Sequence, residues 1–206
     1  MLEILKSILF GIIEGITELL PISSTGHLIL LDDWMDEHLY NYVVVAFALM
    51  LYGVAFLFVE KANEGKELKV KNVFDINYRT ALLIGCFQCL SLIPGTSRSG
   101  STILGAILLG VGRGAGAEFS FFLAIPTMLG ASALKLLKFV LSGVSATGTE
   151  IAVLAVGCVV SFIVSFLVIR GLMEYVRKHS FAAFGLYRIA LGAVVLIYFV
   201  VKSLIV

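Results

Sequence analysis

Pro94-Gly95-Thr96-Ser97-Arg98-Ser99-Gly100-Ser101-Thr102 sets one arginine and five hydroxyls inside an apolar stretch, and its reading decides the fold. The runs beside it, about 80–93 and 103–110, are each too short to cross a bilayer, which takes about 20 residues of helix. They read as a helix–break–helix hairpin that enters a membrane and returns. Non-helical backbone at that depth persists only where protein buries it or where it lines a wet cavity. A second stretch has the same shape. Glu14-Gly-Ile-Thr-Glu18-Leu-Leu-Pro21-Ile-Ser23-Ser24-Thr25-Gly26-His27 lies between an apolar run over 4–22 and a short one over 26–31.

The rest of the chain fits that reading. Its 206 residues are 60% hydrophobic and 14% charged, with a mean hydropathy of +1.05. Ordinary soluble domains are about half apolar and a quarter charged. The runs 42–59, 119–141, 151–170 and 183–205 are long enough to span. The expected fold is therefore an all-α polytopic membrane protein, one domain over 1–206, with two re-entrant hairpins and about four full transmembrane helices. Glu14 and Glu18 interrupt the first run, so a cleaved signal peptide is not expected. A net charge of +1 gives nucleic acid no basic face. Three cysteines supply no disulfide framework, and Cys86-Phe-Gln-Cys89 reads as small residues on an apolar helix rather than a redox pair.

Charge placement orients the spans. Linker 32–41 carries four acids and no Lys or Arg, whereas 60–79 holds Lys61, Lys66, Lys69, Lys71 and Arg79. Linker 171–182 adds Arg177 and Lys178. Cationic loops stay in the cytoplasm, so 60–79 and 171–182 lie inside and 32–41 outside. With spans at 119–141 and 151–170, the segment 80–110 can then make no net crossing. It enters from the cytoplasmic side and the first hairpin from outside. Two hairpins facing each other suggest an inverted repeat with a midplane site, its first half over 1–79 and its second over 80–206. Arg170, Arg188 and Lys202 are expected to be interface anchors, and Lys135 and Lys138 to snorkel from the end of a span.

Ionisable groups at membrane depth are costly and mark function by default. Glu14 and Glu18 stand one helical turn apart on one face. Two such carboxylates call for a cation or a shared proton. Ser23, Ser24 and Thr25 follow Pro21, and His27 brings an imidazole near Ser24, the minimum set for activating a hydroxyl nucleophile. In the second break, Gly95 and Gly100 let backbone N–H groups approach an anion. Arg98 offers a planar fork matched to phosphate oxygens. Thr96, Ser97, Ser99 and Thr102 add donors, and the following helix presents its positive end. A phosphorylated ligand with a lipid tail suits this set. A diphosphate beside two carboxylates is too anionic for one arginine to offset, so a divalent cation, Mg²⁺ or Ca²⁺, is expected between Glu14, Glu18 and the phosphate.

Three strings, EGITELLPISSTGHLIL (14–30), PGTSRSGSTILGAILLG (94–110) and AEFSFFLAIPTMLGA (117–131), closely resemble the undecaprenyl-pyrophosphate phosphatase family, the bacitracin-resistance membrane phosphatases. The likeness covers 1–31 and about 80 to the last residue. It implies a multi-pass enzyme of the bacterial inner membrane, dependent on a divalent cation. Such an enzyme removes the terminal phosphate of the C55 lipid carrier on the outer side and returns the carrier to peptidoglycan synthesis. By motif, Glu14 and Glu18 resemble the family's acidic pair, Ser24 its proposed nucleophile with Ser23 beside it, and His27 its catalytic histidine. Ser97, Arg98 and Thr102 resemble its phosphate-binding residues. The partners expected are a polyprenyl pyrophosphate and the membrane, with a homodimer as a further option.

One departure stands out. Family members carry further spans after the first motif, with an Ile-Gln-Leu-Gly string. Here Leu31 runs directly into Asp32-Asp33-Trp34 and then a single span. Two other readings stay open on the residues alone: a lipid-phosphate flippase, and a binding-only protein inactivated by the missing spans.

Overall fold

The computed structural model describes residues 2–22, 42–65 and 69–205. The described residues are helical apart from turns and one isolated bridge. The helices are α1 (Leu2–Thr17), α2 (Tyr42–Ala62), α3 (Tyr78–Gln88), α4 (Arg98–Leu108), α5 (Arg113–Leu141), α6 (Gly148–Lys178) and α7 (Ala182–Ile205). Single 3₁₀ turns lie at Val73–Asp75 and Cys89–Leu92. Four helices, α2, α5, α6 and α7, are long and apolar enough to cross a membrane. The chain is an all-α, multi-pass membrane protein, as its hydropathy requires. The first three spans extend the apolar runs that signalled them into flanking polar sequence, and α7 adds only Ala182.

Small residues set the closest helix contacts. Apolar helices gain little by packing against each other in lipid, so close van der Waals approach must hold them together. In α1, Ser7, Gly11 and Gly15 recur every four residues along the face that meets α6. The Ser7 hydroxyl donates to the Val153 carbonyl at 2.6 Å, and Ser165 donates back to the Gly15 carbonyl at 3.3 Å. Positions rise together on both helices, so α1 runs parallel to the first half of α6. A Cβ added at Gly15 would lie 2.9 Å from the Ser161 carbonyl oxygen. We expect Gly15→Leu to part α1 from α6 and to lower the thermal unfolding midpoint in detergent, because overpacking costs about 1–3 kcal/mol. An unchanged midpoint would show that this seam is not tight. The α2–α7 pair is built the same way but antiparallel, with Gly53 against Gly185 and Gly192 against Ala46.

One end of the bundle is clasped by charge. Glu60, buried near the end of α2, pairs with Arg113 at the start of α5, whose Nε lies 3.0 Å from both carboxylate oxygens. The same carboxylate accepts the Phe181 N–H at 2.9 Å, at the junction of α6 and α7. Removing Arg113 would leave the buried Glu60 carboxylate without its counter-charge. The basic linkers gather at this end.

The segment between α2 and α5 returns to its origin. The Val70 N–H donates to the Gly110 carbonyl at 3.3 Å and the Gly112 N–H donates to the Val70 carbonyl at 2.7 Å. Residues 71–109 therefore leave and re-enter at the clasped end, with α3 and α4 as the two arms. Gly105 lets the arms close up, since a Cβ there would lie 2.5 Å from the Phe87 ring.

Candidate active site

The turn between α3 and α4 is shaped by its own hydroxyls. Thr96 Oγ1 lies 2.9 Å from the Leu90 carbonyl and 2.8 Å from the Ile93 carbonyl. Ser97 caps α4, its Oγ accepting the Gly100 N–H at 3.2 Å. It does so at φ +63°, the sole non-glycine positive φ among the described residues. Such conformations cost about 1–3 kcal/mol and persist where surrounding contacts over-determine them. Ser101 Oγ donates to the Ser97 carbonyl at 3.0 Å. Thr102 is fully buried, sharing a 2.5 Å hydrogen bond with Ser120 of α5. These hydroxyls stiffen the break as a unit.

The turn reaches far from the clasp. Gly95 has φ +91° and sits against Val45, one turn into α2, where an added Cβ would lie 2.6 Å from the Val45 carbonyl oxygen. At 1.5 Å per residue, Val45 is about 22 Å along α2 from Glu60. We expect Gly95→Ala to destabilise the fold by about 3 kcal/mol, combining backbone strain with a backbone collision. Urea or thermal unfolding in detergent measures it, and a loss under about 1 kcal/mol would contradict this placement.

Here the first break meets the second. After α1 the chain turns through Glu18 to Ile22. Arg98 directs Nε and Nη2 at one Glu18 oxygen, at 3.4 and 3.3 Å, and Nη1 at the Ser120 carbonyl at 3.2 Å. The Arg98 side chain is 9% exposed and that of Glu18 is 24%. Ser99 Oγ lies 3.2 Å from the Leu20 carbonyl and 3.4 Å from that of Glu18. Charge-assisted N–H···O contacts are usually about 2.7–2.9 Å, so Glu18 holds the Arg98 fork loosely. Glu14, one turn earlier and half-buried, stands within electrostatic reach of Glu18 and of Lys135.

Of the sequence-derived candidates, Glu14, Glu18, Gly95, Thr96, Ser97, Arg98, Ser99 and Thr102 thus fall in one region. Ser23, Ser24, Thr25 and His27 lie outside the described residues. Two residues at the site had no candidate role. Ser120 accepts from Arg98 through its carbonyl and shares a hydroxyl–hydroxyl bond with Thr102. Arg188 corrects an expectation. It is not an interface anchor but fully buried, level with Tyr52, whose ring centroid lies 5.4 Å from its guanidinium. Its Nη1 donates to the Pro21 carbonyl at 3.2 Å, and Nη2 to the Gly95 and Thr96 carbonyls at 2.8 and 2.9 Å. Three buried carbonyls give the cation enough acceptors to remain inside. The available signal was an arginine seven positions into the 182–205 helix with no acid nearby in sequence.

Comparison with known proteins places both breaks within one family. The model of the bacitracin resistance protein BacA family matches residues 7–38 and 29–194, which include both breaks. This chain belongs to the BacA family. It is 44% identical to the undecaprenyl-diphosphatase of Lactiplantibacillus plantarum over 271 aligned positions, covering 97% of this chain and 98% of that one. It is 42% identical to the undecaprenyl-diphosphatase of Limosilactobacillus fermentum, covering 97% and 98%. With that of Streptococcus mutans it shares 41% over 275 positions, covering 98% of each. Set against 206 residues, 271 aligned positions leave at least 65 that no residue of this chain fills. The two BacA matches meet at 29–38. This member is therefore shorter than its relatives just after the first motif, where Leu31 runs into the acidic linker.

Proposed function

We propose that the chain hydrolyses undecaprenyl diphosphate in the bacterial inner membrane, releasing the terminal phosphate and returning the lipid carrier to cell-wall synthesis. The observation that carries this reading is the Glu18–Arg98 contact where the two breaks meet. A guanidinium loosely held by one carboxylate oxygen, beside backbone N–H groups at a helix start, is poised to exchange that partner for a phosphate. Arg98 binds and orients the terminal phosphoryl group and offsets the charge that develops on its oxygens. Ser24, or a water, attacks the terminal phosphorus in line as the P–O bond to the lipid monophosphate breaks, the bridging oxygen leaving with undecaprenyl phosphate; on the serine route a water then releases phosphate from Ser24. His27 or Glu18 takes the proton. The turn lies near the Val45 end of α2, away from the basic linkers, which supports a site open toward the outer side.

Two carboxylates one turn apart fit the hard oxygen donors that a divalent ion would need. No group of three or more His, Cys, Asp or Glu among the described residues would enclose one by itself. Glu14 and Glu18 would hold the ion, which supplies charge neutralisation when bound. The test is phosphate release by the purified chain from undecaprenyl diphosphate, with and without EDTA. We expect release that falls at least 10-fold on chelation and returns with Mg²⁺ or Ca²⁺. Binding without release would favour the flippase or binding-only readings.

A further inference from the structure

The Arg188 guanidinium lies behind the site, its two terminal nitrogens held by main-chain oxygens and its buried Nε without a partner among the described residues. Of its three carbonyls, one belongs to the first break and two to the second. The planar, multi-donor guanidinium can bridge separate acceptors in a way an ammonium cannot. Its second effect follows from peptide planarity. In a trans peptide the C=O and the next N–H point in opposite directions. By drawing in the Thr96 carbonyl, Arg188 turns the Ser97 N–H away from itself. Ser97 then continues at φ +63° into the helix that begins with Arg98. No described residue accepts the Ser97 N–H.

We propose that Arg188 is a positioning residue: it clips the two breaks together and fixes the Thr96–Ser97 peptide plane so that the Ser97 N–H is presented to the diphosphate. The diphosphate part rests on the function proposed above; the clip itself does not. Gly100 belongs to the same device. A Cβ there would lie 2.9 Å from Arg188 Nη1, so a larger residue would shift that end of the guanidinium.

Two measurements on the full chain in lipid nanodiscs test this. The first is amide hydrogen exchange, which needs no activity. Arg188→Met should speed exchange at least 10-fold in peptides covering both 18–22 and 93–101, leaving the α1–α6 seam unchanged. Gly100→Ala, which keeps every charge, should do the same more weakly. Faster exchange confined to α7 and α2, with both breaks unchanged, would overturn the clip. The second is steady-state phosphate release from undecaprenyl diphosphate. Arg188→Met should lower kcat about 100-fold and move KM less than 3-fold, because Arg98 still makes the charged contact. Gly100→Ala should lower kcat about 10-fold with the same split. Arg188→Lys should restore less than a tenth of the activity. Full rescue by lysine would mean that charge alone matters and would sink the positioning role. An inactive wild-type chain would defeat the proposed function, while the exchange result would still decide whether Arg188 joins the breaks.

Discussion

Arg98→Ala is expected to lower phosphate release from undecaprenyl diphosphate by about 10³-fold while the protein still inserts and purifies as the wild type does. Arg98 is the charged group of the second break, and its fork faces Glu18 rather than a structural acid. Removing one preorganised donor from a developing oxyanion costs about 10²–10³-fold. A bidentate charged donor belongs at the upper end, about 4 kcal/mol of transition-state stabilisation. Arg98→Lys should recover only part, since a point charge cannot reproduce the planar fork. The fold should survive, because the Thr102–Ser120 bond and the Ser97 cap remain. Parallel thermal unfolding and phosphate-release assays check both halves of this statement. Turnover within 10-fold of wild type would remove Arg98 from the chemistry.

Glu18→Gln is expected to lower the same rate by about 10²-fold, and the pair of substitutions decides whether the contact matters. Glutamine keeps the shape but loses the charge that faces Arg98 at 3.3 Å. Groups that act at one point are strongly non-additive. The Glu18→Gln, Arg98→Ala double variant should therefore be no slower than about 10³-fold, close to Arg98→Ala alone. A double variant slowed by the product of the two effects, about 10⁵-fold, would show two independent roles and make their proximity incidental. A parallel series in EDTA separates the carboxylate's acid–base work from cation binding.

Glu18 and Arg98 could be picked out from sequence because each breaks an apolar run within a cluster of Gly, Pro and hydroxyl residues. Such a cluster does not occur by default in a membrane helix. The four spans were legible for the complementary reason: each is apolar over about 20 residues with at most two charges. Arg188 was not, because Ala182-Ala-Phe-Gly-Leu-Tyr-Arg188 has the look of a span's entry, where a long cation can reach water. Its true level follows from Gly185 seated on Gly53, which sinks the start of α7 beside the middle of α2. That is a packing fact with no local signature. Glu60 was hidden likewise. At the end of an apolar run it reads as solvated, yet Arg113 and the Phe181 N–H enclose it. The strained Ser97 was also beyond reach, since a serine after Pro-Gly-Thr gives no warning of a positive φ.

The β-bridge between Val70 and Val111 makes the α3–α4 arm a cantilever, with both roots in one wall and a free tip. A beam of that kind cannot steady its own end; the props are Glu18 and Leu20 on Arg98 and Ser99, and Arg188, which ties Pro21 to Gly95 and Thr96. The placement of the tip therefore draws on both halves of the chain.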